Sequence, residues 1–232
     1  MRSETTFERH EIKYLLTEEQ AERLKNLMQN HMKSDSFGNS IICNIYLDTK
    51  DYLLIRRSIE KPVYKEKLRY RSYGIVDKDT IVFCELKKKY NSVVYKRRIS
   101  LKASELEQNL VTRLPNTQIG REIAYCFSRY ENLSPKIFLS YEREAYYGIT
   151  DDGFRITLDR NILWRDYDLS LTKGAYGSRI LEADKVLLEV KTMGALPLWL
   201  VKFLSKNKIY KTSFSKYGSV YTSMLIGNGI RR

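Results

Sequence analysis

The sequence predicts an α+β domain in which a strand-lined polar lumen is surrounded by helices. Several predicted strands alternate charged and apolar residues, so each has one charged and one apolar face. The chain also contains amphipathic helices, whose apolar stripes need partners, and the apolar strand faces provide them. The charged faces then turn toward each other, as in a barrel with a polar lumen.

The clearest of these strands spans residues 63–71. Its basic side chains alternate with other residues and therefore share one face: Lys65, Lys67, Arg69 and Arg71. Cations this close repel one another unless something anionic lies against them. A solvated sheet surface is the plain alternative for any single strand of this kind.

The same alternation recurs along the chain, which favours a lined cavity over a solvated surface. Each later strand carries charged residues two positions apart, with apolar residues between them. These sets are Glu85, Lys87 and Lys89; Lys96 and Arg98; Arg155 and Asp159; and Glu189 and Lys191.

Length and charge define the class of protein. With 232 residues, 43% of them hydrophobic, the chain can build one substantial domain. We expect that domain over residues 1–226 and a disordered tail at 227–232.

A net charge of +13 at pH 7 implies an anionic partner. Because the cations alternate with acids on strands rather than forming an exposed arm, nucleic acid is not the expected partner.

Several kinds of chemistry are disfavoured. Three cysteines without a close pair argue against disulfides or a zinc site and fit a reducing cytoplasm, the expected location. Only two histidines occur, which argues against a metal site built from histidines. No signal peptide, P-loop, dinucleotide fingerprint or nucleophile motif is present, and no apolar run approaches the ~20 residues of a membrane span. Basic strands with a few carboxylates suit phosphoryl transfer, in which cations hold phosphates and a carboxylate holds a divalent metal.

The elements are predicted in chain order as follows. Thr17 and Gln20 form a capping box, and Asp48 or Thr49 caps a short second helix. The first half contains strands at 7–16, 41–47, 63–71, 81–89 and 93–101, a helix from 17, a polar turn at 33–39 and a helix from 48. The second half contains helical segments at 103–113, 118–130, 197 onward and 213–226, a hairpin of strands 135–146 and 154–159, an irregular stretch at 161–180 with a mobile loop at 172–178, and a strand at 181–191.

Six short motifs carry a family resemblance over nearly the whole chain. They are Glu8 to Tyr14, Leu68 to Arg71, Glu85 to Lys87, Tyr141 to Arg143, Leu188 to Lys191 and Lys211 to Tyr217. In this order, the motifs resemble the catalytic domain of the vacuolar transporter chaperone family. These are the polyphosphate polymerases within the triphosphate tunnel metalloenzymes (CYTH-like proteins).

The resemblance implies an antiparallel eight-stranded tunnel and an ATP-dependent polyphosphate polymerase. Such an enzyme transfers the γ-phosphate of ATP to inorganic polyphosphate with Mn²⁺ or Mg²⁺. The implied phosphate-binding catalytic residues are Lys13, Arg69, Arg71, Lys87, Arg143, Lys211 and Lys216. Further substrate-binding candidates are Arg9, Lys65, Lys67, Lys96, Arg98, Arg155 and Lys191. The regulatory helical domain and membrane spans of the eukaryotic relatives have no counterpart in this sequence. This difference argues against coupling to membrane translocation, and the sequence identifies no membrane-associated partner.

The metal-binding candidates are Glu189 and Glu85. For Glu85, a salt bridge to a neighbouring cation is an equally good interpretation.

Two other functions stay open. Hydrolases of the tunnel fold resemble Glu-x-Glu-x-Lys in the first strand, whereas Arg9 replaces the first acid here, which favours polymer binding over water activation. A non-catalytic polyphosphate-binding protein is the third possibility, although such a protein gains little from buried carboxylates.

Overall fold

A computed structural model describes residues 10–91, 93–107 and 110–227 of the chain. The strands are β1 (His10–Thr17), β2 (Met32–Asp48), β3 (Tyr64–Tyr73), β4 (Ile81–Tyr90), β5 (Val93–Lys102), β6 (Ser134–Gly148), β7 (Arg155–Arg165), β8 (Ser178–Arg179), β9 (Lys185–Thr192) and β10 (Lys211–Thr212). The helices are α1 (Glu18–Met28), α2 (Leu53–Ile59), α3 (Gln118–Arg129), α4 (Leu198–Lys206) and α5 (Lys216–Gly227). Short 3-10 segments cover Ala103–Glu107, Leu110–Arg113 and Leu171–Lys173.

The strands follow the order β10-β1-β9-β7-β6-β2-β3-β4-β5, with β8 paired to β7. Each neighbouring pair whose register is defined is antiparallel. The α+β class and the antiparallel sheet are therefore confirmed. The closed eight-stranded barrel is wrong: in the described part of the chain the sheet has ten strands, and no ladder joins β5 to β10. Alternation shows which face a residue occupies, but it carries no information about where the edges of a sheet meet.

The chain divides into two compact units, each assembled from separate stretches of sequence. In the described residues, the first unit contains 10–40, 142–161 and 181–214, and the second contains 41–141, 162–180 and 215–227. Strands β2, β6 and β7 contribute to both units, so neither unit is a continuous segment of the chain.

The core of the first unit joins α1 and α4 to the apolar sides of β1, β7 and β9. Leu24, Leu188 and Leu200 are all fully buried in this core. Helix α1 begins where the capping box predicts: the Gln20 amide donates to the Thr17 hydroxyl at 3.2 Å, and the Thr17 amide donates to the Gln20 side chain at 3.0 Å. Its buried stripe places α1 against the sheet.

The second unit packs α3 on the apolar sides of β3, β4 and β5. Val82, Cys84 and Leu86 are fully buried, and Ile123 and Cys126 of α3 belong to the same core. The prediction that these strands bury one face under a helix is confirmed. The other sides of β3, β4 and β5 therefore carry the charged residues.

Two local predictions are wrong. The polar turn expected at 33–39 is part of the long strand β2, because pairing with a neighbouring strand outweighs the weak strand preference of its polar residues. The irregular stretch expected at 161–180 begins with the second half of β7, which continues to Arg165.

The tail at 228–232 lies outside the described residues, and Gly227 ends α5. In the described residues, no helix is both long and apolar enough to cross a membrane.

Arg165 orders the segment in which the sequence predicts a mobile loop. Its side chain is 1% exposed and lies between the rings of Phe138 and Tyr176, with its guanidinium carbon 3.6 and 4.0 Å from their centroids. The guanidinium donates to the carbonyls of Tyr176 at 2.8 Å, Gly174 at 3.1 Å and Asp168 at 3.1 Å. Burial lowers the pKa of Arg165. One buried cation thus satisfies the carbonyls of a segment that has little regular structure.

We expect Arg165→Met to destabilise this segment, because several carbonyls lose their shared buried donor. The expected loss in unfolding free energy is about 3 kcal/mol, measured by chemical denaturation. Limited proteolysis should show faster cleavage between residues 166 and 177. Lys173→Met, an exposed position in the same segment, is the control. Equal cleavage of both variants would contradict this role for Arg165.

Candidate functional site

A row of charged side chains crosses four strands of the second unit. Arg69 lies directly opposite Tyr46 on one side and Glu85 on the other, and Glu85 lies opposite Arg98. Arg69 donates to the Glu85 carboxylate at 2.7 Å and Arg98 donates to it at 2.6 Å. The alternation seen in the sequence therefore places these groups together on one face.

Glu85 is the centre of this row. Its side chain is 1% exposed, and Lys96 lies 2.8 Å from the same carboxylate, with Arg71 at 3.8 Å. Burial alone would raise the pKa of Glu85, but the surrounding cations, Arg69 first, outweigh burial and lower that pKa well below its usual value. Glu85 is therefore ionised and holds cations on both carboxylate oxygens.

A second row on the same face consists of lysines. Lys87 lies directly opposite Lys67 on one neighbouring strand and Lys96 on the other. Like charges in directly opposed positions are destabilising. Next to them, Lys65 lies opposite Lys89 and donates to the Ser58 carbonyl at 3.0 Å. Burial, followed by the charge of Lys89, lowers the pKa of Lys65.

Arg71 occupies a buried position beyond these two rows. It donates to the Asn44 side chain at 2.9 Å and to the Tyr141 hydroxyl at 3.1 Å. Lys216, the first residue of α5, places its ammonium 4.5 Å from the centroid of the Tyr141 ring. We call the set on this face the basic face: Lys67, Arg69, Arg71, Glu85, Lys87, Lys96 and Arg98.

Tyr46 contacts the basic face through its hydroxyl. This hydroxyl accepts a hydrogen bond from Arg69 at 3.1 Å. Burial would raise the pKa of Tyr46, but Arg69 and then Lys67 lower it, to about 8. A phenol that ionises this easily indicates a strongly positive local potential.

The first unit has a different cluster, centred on Glu189. Lys13 lies 3.2 Å from one oxygen of Glu189 and 3.4 Å from Glu11. Arg143 donates to the other oxygen of Glu189 at 3.0 Å and to Asp159 at 2.6 Å. Each of these cations therefore bridges two carboxylates. We call these five residues the Glu189 group.

The other predicted site residues occupy several places. Lys191 lies between Glu11 and Arg155 in adjacent strands of the first unit, on the side of the sheet that carries Glu189. Lys211 is an exposed residue of β10, opposite Tyr14. Arg9 lies outside the described residues, so its role in polymer binding stays a prediction.

Comparison with known proteins identifies the family. The model of the VTC domain matches residues 8–225. The chain belongs to the VTC domain family. This match confirms the family resemblance carried by the six sequence motifs. Among curated proteins, none matches this chain.

Two solved structures resemble this VTC domain. One is described as a candidate adenylate cyclase from Vibrio parahaemolyticus, with 11% identity and a TM-score of 0.50 over 94% of this chain and 99% of the other. The second is described as a candidate adenylate cyclase from Bacillus halodurans, with 15% identity and a TM-score of 0.47 over 97% of this chain and 93% of the other. The first comparison shows a shared fold.

The family resemblance implies a divalent metal, and the two candidate ligands differ in how well they fit one. In the described residues, no group of three His, Cys, Asp or Glu side chains is arranged to hold a metal. Glu85 fits poorly, since two cations lie within 4 Å of each of its oxygens, and these contacts favour the ion-pair interpretation of this residue.

Glu189 fits better. It also has a cation on each oxygen, but Lys13 and Arg143 each contact a second carboxylate as well, and Mg²⁺ is commonly bound through one or two carboxylates together with substrate phosphates. The hydroxyl of Thr157, directly opposite Glu189, is buried and has no hydrogen-bond partner among the described residues. Glu189 is therefore the better fit of the two candidate metal ligands.

Three residues that complete the two clusters were not among the predicted site residues, although the sequence places one of them, Asp159, on a charged strand face. Asp159 anchors Arg143, while Asn44 and Tyr46 accept hydrogen bonds from Arg71 and Arg69. Asn44 and Tyr46 alternate with apolar residues in their strand, so they lie on the face opposite to Cys43 and Ile45. A polar residue between buried apolar ones is the sequence signal that could have identified them.

We expect Glu85→Gln to destabilise the second unit, because several cations lose their shared counter-ion. The loss should lie toward the lower end of about 3–5 kcal/mol, since the cations keep some exposure to water. Because the pKa of Glu85 is lowered on folding, its contribution is present above the unfolded-state pKa of about 4.3 and is lost as the pH falls below it.

Chemical denaturation at several pH values measures this effect. The difference in stability between wild type and Glu85→Gln should be constant near neutral pH and should narrow in acid. Glu122→Gln is the matched control, since the Glu122 carboxylate also pairs with a lysine and an arginine but is more exposed. Equal losses for both variants would show that Glu85 has no special role.

Proposed function

We propose that this VTC domain is a polyphosphate polymerase that transfers the γ-phosphate of ATP to the end of an inorganic polyphosphate chain. Membership of the VTC domain family supports a function with triphosphates or polyphosphate. The observation that carries the proposal is the basic face, where lysines are directly opposed in three adjacent strands.

The spacing of the basic face suits a polymer of negative charges. Neighbouring strands lie about 4.8 Å apart, and same-face residues in one strand lie about 7 Å apart. The cations therefore recur at short intervals in two directions, and several phosphates of one chain can bind at once. Glu85 holds Arg69 and Arg98 in place, so these arginines present their remaining donors without rearranging on binding.

The Glu189 group supports a different task. Lys13 and Arg143 each bridge two carboxylates, and the series begins with Glu11 and ends with Asp159. A carboxylate-rich group of this kind suits a divalent cation better than it suits a bare polyanion. We propose that Glu189 holds Mn²⁺ or Mg²⁺ together with the triphosphate, and that Lys13 and Arg143 bind phosphate oxygens. When bound, the metal neutralises charge on the transferred group.

The reaction requires positioning more than proton transfer. A terminal oxygen of the polyphosphate acceptor attacks the γ-phosphorus, the bond from that phosphorus to the oxygen bridging it to the β-phosphate breaks, and ADP leaves with that oxygen. Lysine and arginine side chains stabilise the negative charge on the acceptor, the transferred group and ADP. High occupancy by acceptor phosphates on the cation-bearing faces favours transfer to phosphate over transfer to water.

The first test is a product assay. Pure protein with ATP and Mn²⁺ should form long polyphosphate on a gel, with ADP as the other product and little free phosphate. Steady release of free phosphate without polymer would favour a hydrolase of the same fold. Binding of polyphosphate without any turnover would favour a non-catalytic binding protein.

A second test separates catalysis from binding. Glu189→Gln keeps the shape of the side chain but removes the charge needed to hold a metal. We expect polymer formation to fall by at least about 100-fold. Triphosphate binding, measured by calorimetry, should be retained or strengthened, because a negative charge beside Lys13 and Arg143 has been removed.

Glu144→Gln is the matched control for this test. Glu144 follows Arg143 in β6, and its carboxylate also contacts a lysine and an arginine, namely Lys25 and Arg160. This variant should keep its polymer formation. Unchanged turnover in Glu189→Gln would show that Glu189 is not the metal ligand.

A further inference from the structure

The residues at the start of α5 contact Lys67 of the basic face and Tyr46 beside it. Ser215 accepts a hydrogen bond from Lys67 at 3.4 Å and caps α5 by accepting from the Gly218 amide at 3.2 Å. The ring of Tyr217 stacks on Tyr46 with centroids 4.5 Å apart. Lys216 lies between these two anchored residues in the chain.

Asp48 is the other anchor of α5. It is fully buried, and its carboxylate accepts hydrogen bonds from the amides of Leu54 at 2.8 Å and Ile55 at 3.0 Å, at the start of α2. The Tyr217 hydroxyl donates to the same carboxylate at 2.9 Å. Burial, followed by the charge of Asp48, raises the pKa of Tyr217, so this hydroxyl stays protonated and remains a donor at neutral pH. One aspartate thus joins the end of β2 to the starts of α2 and α5.

The position of Lys216 requires such an anchor. A cation at the start of a helix is unfavourable to the helix dipole, and a long lysine side chain loses rotamer entropy when it is held. Yet Lys216 is only 8% exposed, with its ammonium above the Tyr141 ring. Tyr141 in turn accepts from Arg71. Tertiary contacts, rather than local preference, therefore hold this cation next to another cation.

We propose that Asp48 and Tyr217 are positioning residues that hold Lys216 against the Arg71 end of the basic face, so that both cations bind the same phosphate chain. This inference rests on the proposed function, because it concerns how the site binds a polyanion. The ring of Tyr217 is held by Tyr46 and its hydroxyl by Asp48. The backbone of the adjacent Lys216 consequently has little freedom to move.

A double-mutant cycle on ligand affinity tests the proposal. Tyr217→Phe removes the hydroxyl and keeps the stacked ring, while Lys216→Ala removes the cation. Calorimetry with inorganic triphosphate should give about tenfold weaker binding for each variant, from the loss of one charge-assisted contact. The double variant should bind no more weakly than Lys216→Ala alone, since the hydroxyl acts only through that lysine.

A purely structural role for Tyr217 predicts a different result. Tyr217→Phe would then lower the melting temperature, but its effect on affinity would be absent or would add to that of Lys216→Ala, and either outcome overturns the proposal. Tyr221→Phe is the matched control, as Tyr221 lies about one turn further along α5 and packs on Tyr52. Its affinity for triphosphate should equal that of the wild type.

Two further results keep the proposal separate from the polymerase assignment. If Tyr217→Phe does not fold, Asp48→Asn, which keeps an oxygen for the start of α2, takes its place in the cycle with the same expected coupling. If the wild type binds triphosphate with the expected coupling but makes no polymer, the positioning role stands and the polymerase assignment fails. If the wild type does not bind triphosphate, both are overturned.

Discussion

Repulsion between neighbouring cations is the constraint on which the charged strands of this protein depend. Arg69, Arg98 and Lys96 can share one face of β3, β4 and β5 because the buried Glu85 carboxylate lies between them. A single carboxylate cannot offset all of these charges. The pKa of Tyr46, lowered to about 8 by the cations, reports the positive potential that remains. We therefore expect an anion bound at this face to stabilise the folded protein further.

The two carboxylates chosen from the sequence have similar patterns but different surroundings. Glu85 is enclosed by cations, so it organises a basic surface. Glu189 shares Lys13 and Arg143 with two other carboxylates, and the Thr157 hydroxyl opposite it has no hydrogen-bond partner in the part of the chain that the structure describes. The same residue type thus serves a basic surface in one unit and an acidic group in the other. The charged neighbours of each carboxylate distinguish these roles, whereas the Glu-x-Lys pattern is the same in both strands.

Much of the site follows from strand alternation, and the remainder does not. Period-two alternation correctly groups Arg69, Glu85 and Arg98, since side chains in paired strands share a face whatever the curvature of the sheet. It does not predict whether the two edges of the sheet join to close a barrel, and the expected eight-stranded barrel is wrong. It also does not reveal contacts made at long sequence separation, such as Arg143 with Asp159 or Tyr217 with Asp48. Those contacts depend on the register of strands and the docking of helices, which no local pattern specifies.

Asp48 shows how a residue identified for a local reason acquires a wider role. The sequence predicts Asp48 or Thr49 as the cap of α2. Tyr52 occupies the N-cap position, but Asp48 and Thr49 both accept hydrogen bonds from amides at the start of α2. A cap needs only part of the capacity of a carboxylate, which can accept about four hydrogen bonds. Tyr217 uses the remaining capacity, and the buried charge is satisfied without a cation. If Arg71 or Lys216 paired with Asp48 instead, the carboxylate would neutralise part of the positive charge proposed to bind the phosphate chain, whereas a neutral hydroxyl leaves that charge in place. The neutral donor therefore fixes the start of α5 while leaving the positive charge of the site for its ligand.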